Sequence, residues 1–135
     1  MDFLFLLLIK HAIVDLGMQT HLVDINKSKY LGNGHIHYMQ HGIGTIVIAG
    51  LFLPAASVFL CVLVDYVLHW HIDFSKHRIN RFFNIEARTA KWWWGNTIDQ
   101  CLHFTTYYWI VVYFSEKSLL TCLEYILHSF RLLFQ

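Results

Sequence analysis

The sequence predicts an all-α fold, a multi-pass transmembrane bundle of four or five helices in a single integral membrane domain spanning residues 1–135. Three observations predict it. The chain is 56% hydrophobic and only 14% charged, against roughly 25% charged in soluble domains. Its mean hydropathy is +0.44, too apolar for a small soluble domain to hide. Its polar residues recur at helical spacing inside apolar runs. The net charge of +1 with His neutral excludes a nucleic-acid partner held by bulk charge.

The first element runs from Phe3 to about Val23. It lacks a basic leader segment and a small-residue cleavage site, so it reads as a retained helix rather than a cleaved signal. A polar stretch punctuated by Gly32-Asn33-Gly34 follows. The apolar run from His35 to His71 would be about 55 Å long as one helix, nearly twice a ~30 Å hydrocarbon core. Pro54 lies near its middle, and a proline with its restricted predecessor ends helices. The run therefore divides into a hairpin of His35–Leu51 and Pro54–Lys76. A basic segment follows, then an apolar stretch from Thr97 to Phe114. Ser115-Glu116-Lys117 is read as a break before a last helix, Ser118–Gln135.

The basic residues orient this topology. Lys27, Lys29, Lys76, Arg78, Arg81, Arg88 and Lys91 flank one end of the bundle, and Lys117 alone flanks the other. The positive-inside rule places the Lys76–Lys91 loop in the cytoplasm, and Trp92-Trp93-Trp94 suits an interfacial anchor. Cys61, Cys101 and Cys122 are odd in number and sit in apolar runs, so they read as buried small residues, not a disulfide framework.

The chemistry lies in three pairs with four-residue spacing: His11 with Asp15, His69 with Asp73, and Asp99 with His103. Four residues is about one helical turn, so each pair shares a face. The hairpin brings His41 to the same end, and every pair converges there. Ionisable residues in membrane helices are expensive and mark function. Neutral imidazoles and carboxylates are natural ligands of zinc, iron or manganese. His11, Asp15, His41, His69, Asp73, Asp99 and His103 are thus the expected ligands of a divalent metal ion, with a mononuclear or dinuclear site both open. His37, four residues before His41, is an accessory candidate, and Asp65, one turn below His69, a supporting partner. His21, His71, His77 and His128 read as interfacial residues. No Gly-rich phosphate loop, G-x-S-x-G or CxxC motif is present.

His11-Asp15-Gln19, His41, His69-Ile72-Asp73-Lys76 and Asp99-Gln100-His103 together resemble the pattern of an uncharacterised family of small multi-pass membrane proteins of bacteria and phages, domain of unknown function 3307. The resemblance covers roughly residues 4 to 115, and its combination of motifs is more specific than any one of them. It implies a bacterial inner-membrane location and supplies no substrate. A more distant similarity is to membrane-bound metal-dependent hydrolases. The triple Trp and His35-Ile36-His37 fall outside the pattern.

The expected function is a metal-binding membrane protein, acting as a metal-dependent hydrolase at the cytoplasmic interface. There the ion lowers the pKa of a bound water. Asp73 or Asp99 takes the proton, and Lys76 with Arg78 holds an anionic lipid headgroup. Two other classes compete. One is a non-enzymatic small subunit of a larger membrane complex, or a homo-oligomer, whose His/Asp network only joins helices. The other is a proton or metal-ion transporter, which requires a polar path through the whole bundle.

Overall fold

The computed structural model describes residues 2–18, 27 and 29–133, with side chains as far as Phe114. All regular structure among them is helical. The elements are α1 (Phe3–Ala12), a π-helical segment (Ile13–Met18), α2 (Gly34–Ala49), α3 (Ala55–Phe82) and α4 (Ala90–Leu133). Asp2 caps α1, its carboxylate accepting the Leu4 backbone N–H at 3.0 Å. The π segment widens the helix at Asp15, a local irregularity of the kind that recurs at functional sites. Gln19 and His21 lie outside the described residues.

The hairpin turns where the lone proline directs it. α2 ends at Ala49, and Pro54, with an extended backbone, leads into α3. α3 continues past Lys76 to Phe82, because the basic segment SKHRINRF contains no breaker. Two left-handed residues, Asn84 (φ 48°) and Arg88 (φ 67°), then form the turn into α4.

Two sequence expectations need correction. Ser115-Glu116-Lys117 breaks nothing: α4 is one 44-residue helix, so the described residues form four α-helices, the lower of the two expected numbers. Neither Gly nor Pro occurs after Gly95, and Glu and Lys are good helix formers. A polar triplet changes where a helix is solvated, not whether its backbone continues. The first helix also fails to run on as α-helix through Asp15, since the π segment begins at Ile13.

The buried faces follow the helical period. α3 buries Cys61, Asp65, His69 and Asp73, one residue every four. α2 buries His37, His41 and Thr45 at the same spacing. At one end the core is apolar, formed by Phe3, Leu7, Ala49, Cys61, Ile110 and Phe114. At the other it is ionic. Among the described residues, nine apolar side chains are buried against twelve polar or charged ones. The outward faces carry Leu16, Ile43, Val47, Phe59, Trp94 and Trp109, each more than half exposed. That distribution inverts the usual one for a soluble domain.

Among the described residues one helix, α3, is long and apolar enough to cross a membrane by length and composition. α2, at 16 residues, is about 24 Å long, short of a full span.

Candidate metal centre

Each helix brings one ladder of side chains, spaced by four residues, to the polar end of the core. α1 and the π segment bring His11 and Asp15. α2 brings His37 and His41, α3 brings Asp65, His69 and Asp73, and α4 brings Asp99 and His103. The five imidazoles are at most 2% exposed. His69 is at the centre, its ring centroid 3.7 Å from that of His41 and 3.9 Å from that of His103. His11 is 5.4 Å and His37 5.3 Å from it.

Every carboxylate and imidazole expected from the sequence is therefore in one cluster, but the carboxylates are not equivalent. Asp65 pairs with Lys10 at 2.9 Å, Asp73 with Lys27 at 2.6 Å, and Asp99 with Lys76 at 2.8 Å. Asp15 has no lysine or arginine partner among the described residues. Its neighbours are imidazoles: His41 Nε2 at 3.0 Å, and His11 Nε2 and His37 Nε2 at 3.2 Å. Gln100 Nε2 donates to its second oxygen at 3.2 Å. Asp15 is also the most open member, with a side chain 16% exposed.

Two overlapping facts indicate that a cation can be held here. Donor atoms of His11, Asp15, His41 and His69 all lie within 4.8 Å of one another. Bonds of ~2.0–2.1 Å to a tetrahedral ion put neighbouring donors about 3.3 Å apart, close to the spacings around Asp15. In addition, neither ring nitrogen of His69 has a hydrogen-bond partner among the described residues. Its Nε2 lies 4.0 Å from Asp15 Oδ1 and 3.8 Å from Asp73 Oδ2, too far for a hydrogen bond and suitable for an interposed ion. His37 is similar: its Nε2 approaches Asp15 without hydrogen-bond geometry. Buried polar atoms left this way are costly unless something absent from the protein chain satisfies them.

His37, His69 and Asp73 form a second group with metal-ligand spacing, and Asp73, Asp99 and His103 a third. In the third, His103 Nε2 approaches Asp73 at 3.3 Å and Asp99 at 3.7 Å, while Lys27 and Lys76 already supply the cations. The charges there balance without an ion.

Four contributors escaped sequence reading. Lys10 is 6% exposed, and its ammonium meets Asp65 Oδ2 and Tyr107 Oη, each at 2.9 Å. Thr45 donates to the same Asp65 oxygen. Tyr107 touches His11 at 3.3 Å. Lys27, counted as a flanking loop cation, is 3% exposed and locked on Asp73. A lysine in the apolar run FLFLLLIK was itself a signal, since such a cation needs a buried carboxylate. Tyr107 continues the Asp99–His103 ladder by four residues, and Thr45 continues His37–His41.

Comparison with protein-family models, with curated proteins and with solved structures gives no match.

Proposed function

We propose that this chain is an integral membrane protein whose helical bundle binds one divalent transition-metal ion on His11, Asp15, His41 and His69. The single observation that carries this reading is the charge pattern of the cluster. Among the described residues, three of its four buried or half-buried carboxylates have a lysine each, and Asp15 has imidazoles and the Gln100 amide but no cationic side chain paired with it. A carboxylate withdrawn from water needs a compensating charge. A divalent ion supplies it at the point where four donors already face one another. His37 is an additional ligand at the same carboxylate, and His103, stacked on His69, supports the ring. Three nitrogens and one oxygen suit zinc, iron or manganese.

The membrane assignment is supported by the inverted distribution of side chains, with an ionic interior and an exterior of Leu, Ile, Val, Phe and Trp. Such helices have only moderate hydropathy because their inward faces carry the His and Asp residues. The resemblance to domain of unknown function 3307, with its bacterial inner-membrane location, belongs to this proposal, as does a cytoplasmic Lys76–Lys91 loop.

One feature favours catalysis over a purely structural ion. Asp15 reaches solvent while the imidazoles do not, so the ion's accessible side is the Asp15 side. When bound, such an ion supplies a water of lowered pKa for hydrolysis. Asp73, 3.8 Å from His69, is the carboxylate beside it, and the exposed Arg78, two residues beyond the Asp99-paired Lys76, would hold an anionic headgroup. A transporter is less well supported, because below Asp65 the described core closes with Cys61, Leu7, Ile110 and Phe114.

Metal analysis of purified wild-type protein and two variants tests the reading. Asp15→Asn loses the ion, while Asp99→Asn, outside the four-donor set, retains it. Equal metal content in all three refutes the ligand assignment.

A further inference from the structure

We propose that Tyr107 is a positioning residue for this centre: its hydroxyl, anchored by Lys10 and Asp65, holds His11 as the Nδ1–H tautomer with the Nε2 lone pair directed at Asp15. The inference rests on the metal reading and adds how one ligand is prepared for the ion. Tyr107 is 1% exposed, and its oxygen has three close nitrogens: Lys10 Nζ at 2.9 Å, His11 Nδ1 at 3.3 Å and His41 Nδ1 at 3.5 Å.

An ammonium has three donors and no acceptor. Lys10 therefore donates to Asp65 Oδ2, to Tyr107 Oη and to the His41 carbonyl oxygen. Asp65, ionised beside that ammonium, only accepts, from Lys10 and from Thr45. One lone pair of the phenol oxygen receives Lys10, and the other is left for a donor. A His11 that ligates the proposed ion through Nε2 carries its proton on Nδ1, and Tyr107 Oη, 3.3 Å away, is the acceptor that holds it there.

The consequence falls at the other side of the ring. His11 Nε2 then has a bare lone pair facing two acceptors, Asp15 Oδ2 at 3.2 Å and Gln100 Oε1 at 3.0 Å. In that tautomer His11 Nε2, Asp15 Oδ2 and Gln100 Oε1 are three acceptors around one point, where the proposed ion would sit. The Lys10–Asp65–Tyr107 unit thus does for His11 what a carboxylate behind a metal-bound imidazole does elsewhere: it fixes tautomer and ring direction. Gly44 belongs to the same device. A Cβ there would stand 2.6 Å from Lys10 Cγ and 2.7 Å from Cδ, so only glycine lets the lysine stem pass along α2.

The test compares wild type, Tyr107→Phe and the exposed control Tyr108→Phe in detergent. Zinc affinity is measured by chelator competition, and ligand geometry by the visible absorption of the cobalt-substituted protein. Tyr107→Phe keeps the ring and its packing and removes only the hydroxyl. It should weaken zinc binding by about 10–100-fold and shift the cobalt bands, with Tyr108→Phe unchanged. Zinc affinity within twofold of wild type and an unaltered cobalt spectrum would overturn the positioning role. Should Tyr107→Phe not fold, NMR of isotope-labelled histidine in zinc-loaded wild type decides. His11 protonated at Nδ1 and metallated at Nε2 supports the role, and the opposite tautomer refutes it. A wild-type protein that takes up no zinc overturns the metal reading itself, an outcome distinct from a metal-loaded protein indifferent to Tyr107.

Discussion

Removing the Lys10 ammonium isolates the energetics of the polar core. Lys10 and Asp65 are 6% and 1% exposed and 2.9 Å apart, on helices that meet only through folding. Lys10→Met keeps the length of the stem and its contacts but leaves the Asp65 carboxylate buried with Thr45 as its remaining hydrogen-bond donor among the described residues. Breaking one partner of such a pair costs about 3–5 kcal/mol, roughly two to three and a half powers of ten in the unfolding equilibrium. The reciprocal change, Asp65→Leu, strands the ammonium and costs a similar amount. Replacing both, in Lys10→Met with Asp65→Leu, removes the two charges together. An apolar pair of similar volume is often neutral or better than the ion pair, so the double variant should recover most of the loss. Unfolding in mixed detergent micelles, followed by helical circular dichroism, gives the three values. The expected coupling is at least about 2 kcal/mol. Additive losses, with the double variant as unstable as the sum of the singles, would refute the claim that these charges exist for each other.

Three further outcomes follow from particular residues. Gly44→Ala places a methyl against the Lys10 stem and should destabilise by about 1–3 kcal/mol, whereas Gly17→Ala, where an added Cβ meets nothing within 4 Å, should not; thermal unfolding compares them. Arg88→Gly relieves a left-handed residue at φ 67° and should leave the α3–α4 turn unchanged or more stable by up to about 1 kcal/mol, while Arg88→Val should destabilise it. A single cysteine at Asn84, in a background with the native cysteines replaced, should react with a membrane-impermeant reagent only after cells are opened; labelling in intact cells would reverse the proposed orientation.

The hairpin was legible because one proline at a known position is a strong local constraint. The convergence of His11, His41, His69, Asp73, Asp99 and His103 followed once that turn was placed, since four-residue spacing fixes which side chains share a face. The same ladder rule would have reached Thr45 and Tyr107, had it been extended one turn beyond the titratable residues. Lys27 was not legible. It comes from a polar stretch of Asn, Lys, Ser and Gly whose path no periodicity defines, and only the fold brings it to Asp73. Its placement, with that of Lys10, changes the site's electrostatics. Of the seven similar donors in the sequence, Asp73 and Asp99 become neutralised ion-pair carboxylates, as does Asp65 beside them, and Asp15 is left as the one carboxylate among imidazoles. The misplaced break at Ser115-Glu116-Lys117 has a simpler origin: polarity signals an interface, while helix termination needs a backbone reason that this triplet does not provide.

The central claim is that Asp15 and the imidazoles around it hold a metal ion, and the most direct measurement is elemental analysis of the wild-type protein purified in mild detergent without added chelator, beside Asp15→Asn. The wild type should contain about one zinc, iron or manganese ion per chain, by the donor set it carries, and the variant little. A folded wild-type protein with no stoichiometric metal would contradict it and leave the His/Asp cluster as a hydrogen-bonded structural network.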